Sequence, residues 1–377
     1  MVASTFEINQ LELRAAPPEA VAAGVVARLM RRIGRANRGM YPGYFALVMA
    51  TGIVSNAFFL LGYQCISQLL LWVNLVAYPT LIAATVMRLA RFRAELWADL
   101  TNPEWVFTFF TFVAGSNVLG VQLFLRGYQS PALALWLIAL VVWLILGYFS
   151  FSVLTFARPR PGIEVVHGGW LIAIVATQSI VLLGTLLAPG MESLTTVAFL
   201  GVHSLWGVGV ALYGIFIIFI VYRLFFVRLD PADLTPVYWV IMGAAAISAN
   251  AGAAIIRSAP SVPFLTALRP FVEGATLSLW AWSTWWIPLL VVFGVWRHLV
   301  CRVPLTYHPA YWSMVFPLGM YAVATYRLSL AAELEGLKVI PQVMAWVALS
   351  AWGVTMLGLL RLLARSGVQC LQVSEGL

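Results

Sequence analysis

Acidic residues are scarce in this chain. Its 377 residues hold 14 Asp and Glu against 22 Lys and Arg, and Lys338 is the sole lysine. Charged residues make up 10%, where a soluble domain carries about a quarter, so a soluble globule is excluded. There are three cysteines, Cys65, Cys301 and Cys370, with no metal-ligand spacing. Cys65 falls on one side of the expected membrane and the other two on the opposite side, so no disulfide is expected. Of four histidines only His203 lies deep in an apolar run, which leaves no second axial ligand for a haem electron carrier. Its expected state is a neutral imidazole bonded within the helix bundle. Lys338 sits at a helix edge, which excludes a retinal Schiff base. No HExxH, GxSxG or P-loop occurs. The sequence therefore suggests no enzyme, no metal site and no cofactor.

What is present is apolar. Hydrophobic residues make up 62%, and in lipid such a chain is expected to be all helical, because no water satisfies irregular backbone. Hydropathy gives ten spans, at 43–63, 67–87, 105–125, 131–155, 170–188, 194–222, 238–257, 271–296, 311–330 and 339–363. Every second span opens on the same phrase of proline, spacer and aromatic. The copies are Pro42-Gly43-Tyr44-Phe45, Pro103-Glu104-Trp105, Pro236-Val237-Tyr238-Trp239 and Pro309-Ala310-Tyr311-Trp312, with a degenerate Gly168-Gly169-Trp170. Proline suits a first helical turn, where its missing N–H has no partner to lose. An aromatic one turn in suits the membrane interface. The period spans two membrane crossings, so the expected fold is five helical hairpins.

Charge orients them. With the N-terminus inside, seventeen basic residues fall on the cytoplasmic side and five outside, namely Arg126, Arg257, Arg269, Arg327 and Lys338. The positive-inside rule then puts both termini in the cytoplasm of a plasma-membrane protein. The net charge of +8 needs no nucleic acid, since anionic lipid accounts for it. Residues 1–40 are too basic late on for a signal peptide. Residues 19–38 alternate Val, Ala and Leu with Arg, which reads as an interfacial helix or a disordered tail. The expected organisation is a cytoplasmic segment 1–40, a membrane domain 41–365 and a cytoplasmic tail 366–377.

Small and polar residues concentrate in the odd spans, among them Thr51, Ser55, Asn56, Thr111, Ser116, Asn117, Thr177, Gln178, Ser248, Asn250, Ser313 and Thr325. They suit either close helix packing or the wall of a central path around a quasi-fivefold axis. The odd helices would point five partly positive N-termini at one arginine-rich mouth. They carry no ring of Asp or Glu, so a path there favours anions. Glu273 is expected to pair with Arg257 or Arg269.

Three stretches resemble one known family. Gly43-Tyr-Phe-Ala-Leu-Val-Met-Ala-Thr-Gly-Ile-Val-Ser55, Thr235-Pro-Val-Tyr-Trp-Val-Ile-Met-Gly-Ala-Ala-Ala-Ile-Ser248 and Tyr311-Trp-Ser-Met-Val-Phe-Pro-Leu-Gly-Met-Tyr-Ala-Val-Ala-Thr325 are similar to the first, seventh and ninth spans of the family that joins plant slow anion channels, bacterial tellurite-resistance proteins and C4-dicarboxylate transporters. The dicarboxylate branch is the nearer in wording. The resemblance covers residues 40 to 365 and implies ten helices around a central pore lined by the odd helices, a homotrimer with one pore per subunit, and a phenylalanine plug in the ninth span. That position is Phe316. Pro317 removes a backbone bond beside it and loosens the helix there. Trp312, Ser313, Met320 and Ala324 lie at helical spacing from Phe316. Phe45, Thr51, Thr111, Gln178 and Asn250 are the wall candidates on the other helices. The expected function is transport of small anions, C4-dicarboxylates such as malate or inorganic anions. A proton-coupled dicarboxylate carrier or a sulfite or tellurite exporter is the other reading.

Overall fold

The computed structural model describes residues 30, 34–158, 160, 162–258, 260 and 262–375, with side chains as far as Arg365. Most of the expected interfacial helix, 19–38, lies outside the described residues; 34–38 are helical. Among the described residues there is no strand. Ten long helices carry the chain: α1 Ala46–Leu60, α2 Gln64–Arg91, α3 Phe110–Phe124, α4 Gln129–Phe156, α5 Ile172–Leu187, α6 Thr195–Phe226, α7 Val240–Ser258, α8 Arg269–Val295, α9 Trp312–Ala331 and α10 Val339–Glu375. The last continues well past the expected end of the tenth span at 363, so most of the expected tail 366–377 is helical backbone.

Nine of these helices, taken with their flanking turns, are long and apolar enough to cross a membrane. The exception is α9, where ten spans were expected. It has the length, at 20 residues, but carries Ser313, Pro317, Thr325, Tyr326, Arg327 and Ser329. Sixteen of its residues are buried inside the protein, so it faces helices and has no need of a lipid-like surface.

The repeated phrase acts locally as expected. Single 3-10 turns open α1, α5, α7 and α9 at Pro42–Phe45, Gly168–Leu171, Pro236–Trp239 and Pro309–Tyr311. The Pro103 copy sits one turn earlier, and its 3-10 turn starts at Val106. Two of the turns are capped by a side chain two residues back, His167 Nδ1 accepting from Gly169 (3.0 Å) and His308 Nδ1 from Ala310 (3.1 Å). In the Pro103 copy Asn102 Oδ1 makes the same kind of bond with the Glu104 amide (2.9 Å), ahead of the 3-10 turn. At the other end, Leu61-Gly62-Tyr63-Gln64 and Arg126-Gly127-Tyr128-Gln129 make the same turn. Gly62 and Gly127 adopt φ of +89° and +86°. The Tyr63 amide then reaches Phe58 O (2.9 Å) and the Tyr128 amide reaches Leu123 O (3.0 Å), which ends α1 and α3 abruptly.

The odd helices form the core. In α1, α3, α5 and α7 the apolar window is 83–94% buried, against 11–33% in the even helices. α1 packs on α3, α3 on α5, α5 on α7, α7 on α9, and α9 returns to α1. Each even helix packs outside its odd neighbour in sequence. It is then bonded to the next odd helix by an aromatic side chain. Tyr78 of α2 bonds Ser116 of α3 (2.8 Å), and Trp143 of α4 donates to Thr177 of α5 (2.8 Å). Trp206 of α6 donates to Ser248 O of α7 (3.0 Å) and Trp280 of α8 to Thr325 of α9 (2.9 Å). Trp352 of α10 donates to Thr51 of α1 (2.9 Å), which closes the circle. Ser116, Thr177 and Thr325 meanwhile donate their own hydrogens to carbonyls four residues back, so each uses both sides of its oxygen.

Candidate functional site

The site is best built from α9, whose outward face is fixed by α8. Thr284 bonds the Tyr321 hydroxyl (2.8 Å), Trp280 bonds Thr325, and the Trp280 ring stacks on Tyr321. A helix turns about 100° per residue. The face away from Tyr321 and Thr325 therefore carries Trp312, Phe316, Val323 and Arg327, and this face looks into the ring of odd helices. Phe316 is 1% exposed. Pro317 beside it presses on α7, where a Cβ on Gly243 would lie 2.7 Å from the proline Cγ. Only glycine lets the two backbones approach this closely at the kink. Met320 Sδ accepts a hydrogen bond from Asn250 Nδ2 of α7 (3.3 Å), and Asn250 Oδ1 is buried without a partner among the described residues. Ser313 and Thr111 are buried, and the Thr111 hydroxyl donates to Thr108 O (2.7 Å).

Three of the wall candidates point elsewhere. Thr51 is held outward by Trp352 of α10. The Phe45 ring lies edge-on to Phe112 and Tyr78, with centroids 5.2 and 5.9 Å away, between α1 and its neighbours α2 and α3. Gln178 donates to Trp206 O of α6 (3.2 Å) and packs against Gly209 of the same helix. In each case an even helix offers the partner, so the side chain turns away from the ring's centre.

One residue was missed. Arg327 stands eleven residues beyond Phe316, about 20° around α9 and about 16 Å along it. It is 9% exposed and forms no ion pair among the described residues. Arg257 of α7 is nearby; it donates to Leu330 O (3.4 Å) and lies two turns beyond Asn250 on one face of α7. Counted only as an outside charge, Arg327 gave no hint of burial. The usable signal was its period with Phe316. A buried, unpaired arginine costs several kcal/mol, which an anion beside it would offset.

At the arginine-rich end, aromatic and histidine side chains knit the helix starts together. The Tyr41 ring lies 5.8 Å from His308 and 6.2 Å from Trp105. Burial first, then the Glu104 charge, pushes its phenol up to about 12, so it stays neutral. His167 accepts at Nδ1 and bonds Glu104 O through Nε2 (3.0 Å), so it is the neutral Nε2–H tautomer. Removal from water holds its pKa below the ordinary value, and the Arg223 charge adds to this; the bond and charge of Glu104 oppose. His203 Nδ1 bonds its own helix at Phe199 O (2.7 Å), and Glu273 pairs with Arg269 (2.8 Å); both are structural.

Comparison with known proteins places the chain. The family model described as voltage-dependent anion channel matches residues 39–360. The chain belongs to this anion-channel family. An uncharacterized membrane protein of Mycobacterium tuberculosis is 48% identical over 145 residues, 38% of this chain and 73% of the relative. An uncharacterized transporter of Methanocaldococcus jannaschii is 23% identical over 337 residues, 85% of this chain and 92% of the relative. A sulfite efflux pump of Trichophyton rubrum is 22% identical over 311 residues, 76% of this chain and 81% of the relative. The chain is thus a multi-pass membrane protein of a transport family.

Proposed function

We propose that this channel-family protein passes small anions through the centre of the ring of odd helices, with Phe316 as the plug. All ten helices span the membrane in this reading, as five hairpins around a quasi-fivefold axis. The observation that carries it is the shared face of α9. A fully buried aromatic beside a proline kink and an unpaired buried arginine stand three turns apart on the side turned to the ring's centre. Arg327 and Arg257 would draw an anion in, Asn250 and Met320 would flank its path, and Phe316 would exclude water until it swings aside. Ser313 and Thr111 remain wall candidates; Phe45, Thr51 and Gln178 leave the set. The substrate class is small anions, C4-dicarboxylates such as malate or inorganic anions.

The arginine-rich helix starts face the cytoplasm of the plasma membrane in this reading, and three copies assemble with one path each. In liposomes, Phe316→Ala should raise anion conductance at least about tenfold, a barrier change of roughly 1.4 kcal/mol, with the oligomer mass unchanged. Unaltered conductance in an intact oligomer would rule out the plug. The likeness to sulfite efflux pumps favours a second reading, an exporter of sulfite or a related anion. Reversal potentials for chloride, malate and sulfite at two pH values separate the two: proton coupling shows as a shift beyond the one that the protonation of malate and sulfite themselves produces, with non-titrating chloride as the reference.

A further inference from the structure

A groove of about 920 Å³ opens between α8, α10 and the start of α9, on the outside of the helix ring. Its walls change character along α10. Toward the middle of the helices they are Leu290, Val291, Ala351 and Val354, and Val291 and Val354 are exposed there. At the arginine-rich end they are Arg297, His298, Arg361 and Arg365. The lining holds no Asp or Glu. Arg361 and Arg365 make no ion pair among the described residues, and Arg297 Nε is buried without a partner. From Ser350 to Arg365 the groove covers roughly 22 Å of helix. That matches one leaflet, about half of a 40–45 Å bilayer with its headgroups.

We propose that this groove binds an anionic phospholipid, with its acyl chains along Val291 and Val354 and its phosphate between Arg297, Arg361 and Arg365. A gradient from apolar wall to arginine cluster within one leaflet is the complement of a lipid with a negative headgroup. A second copy of the chain fits less well. The face it offers would have to bring carboxylates on an apolar ridge. Glu95, Asp99 and Asp233 at that end are already paired with Arg38, Arg88 and Arg223. Exposed Glu104, Glu164 and Asp230, in no ion pair among the described residues, sit on the connections between the long helices and not on an apolar helix face. Tyr307 closes the groove's floor. It packs against Gly358 of α10, its hydroxyl accepts from Trp312 Nε1 (3.2 Å), and burial pushes its phenol up to about 12. Met314 of α9 lines the groove directly, and Trp312 shares the inner face of α9 with Phe316, so lipid in the groove touches this helix both directly and through Tyr307.

The test is native mass spectrometry of the full-length protein, delipidated and then exposed to dioleoyl phosphatidylglycerol or dioleoyl phosphatidylcholine. The anionic phosphatidylglycerol should be retained at least about tenfold more, and Arg361→Gln with Arg365→Gln should lower its retention about fivefold per arginine. In a separate arm, Val354→Trp fills the apolar half without touching charge and should displace both lipids. A phosphatidylglycerol carrying a diazirine on its tail should crosslink to residues 290–294 and 350–362. Equal retention of the two lipids, retention unchanged in the arginine variant, or disulfide crosslinking of Val354→Cys between copies would overturn the proposal. None of these readouts depends on Phe316 acting as a plug.

Discussion

At the scale of single residues, chemistry is sparse and each polar group counts. Arg327 is the sharpest case. It is buried to 9% exposure with no ion pair among the described residues, a cost that a visiting anion would offset. Arg327→Gln keeps hydrogen-bonding ability on a shorter side chain but removes the charge. Anion conductance should fall roughly tenfold, since one nearby charge in a partly buried site is worth a few kcal/mol before screening, and the anion-to-cation permeability ratio should fall with it. Unchanged selectivity in bi-ionic recordings would assign Arg327 to helix-end capping alone. His167 gives a second test. Its folded pKa lies below the unfolded value near 6.5. The unfolded chain therefore binds more protons over the intervening window, so its stability contribution is whole above about pH 6.5 and is lost as pH falls below it. The proton would also occupy Nδ1, the atom that caps Gly169. Melting temperature should drop between pH 8 and pH 5.5, and His167→Asn, which caps without titrating, should flatten that slope.

At the scale of elements, the helix starts were legible because their causes are local. A proline at a first turn and an aromatic near the interface need no partner from elsewhere. The division into buried odd and exposed even helices was legible for the same reason, through small and polar residues in alternate spans. Orientation within a buried helix was not. α1 is buried on every side, so its sequence carries no period that says which side faces the ring's centre. What settles Thr51 is Trp352, 301 residues away. The low hydropathy of α9 is likewise a consequence of where it ends up. The aromatic ties that fix these orientations predict a measurable coupling. Trp280→Phe should cost about 0.6 kcal/mol, and no more than about 1.7, typical of hydrogen bonds between membrane helices. Thr325→Val should cost as much, and the double variant less than the sum in a double-mutant cycle. Strict additivity would mean that the tie is incidental.

At the scale of the whole molecule, the polarity of the path follows from its orientation. Each of the cytoplasm-assigned arginines Arg88, Arg223 and Arg297 stands at the end of an even helix and holds the carbonyl of a neighbouring segment, at Arg38, Val166 and Leu234. Their structural duty would exist on either side of a membrane. The remaining unpaired arginines carry the topological signal, and the positive-inside rule assigns their end to the cytoplasm. Among the described side chains two free cysteines stand at opposite ends of the helices: exposed Cys65, just after the α1 turn, and partly buried Cys301, just after α8. An impermeant maleimide should label Cys65 in intact cells and reach Cys301 only after permeabilisation. In a Cys370→Ser background, the single variants Cys65→Ser and Cys301→Ser identify which site reacts. The reverse pattern would turn the molecule over. Arg327 and Arg257 would then face the cytoplasm, and anions would meet them on the way out.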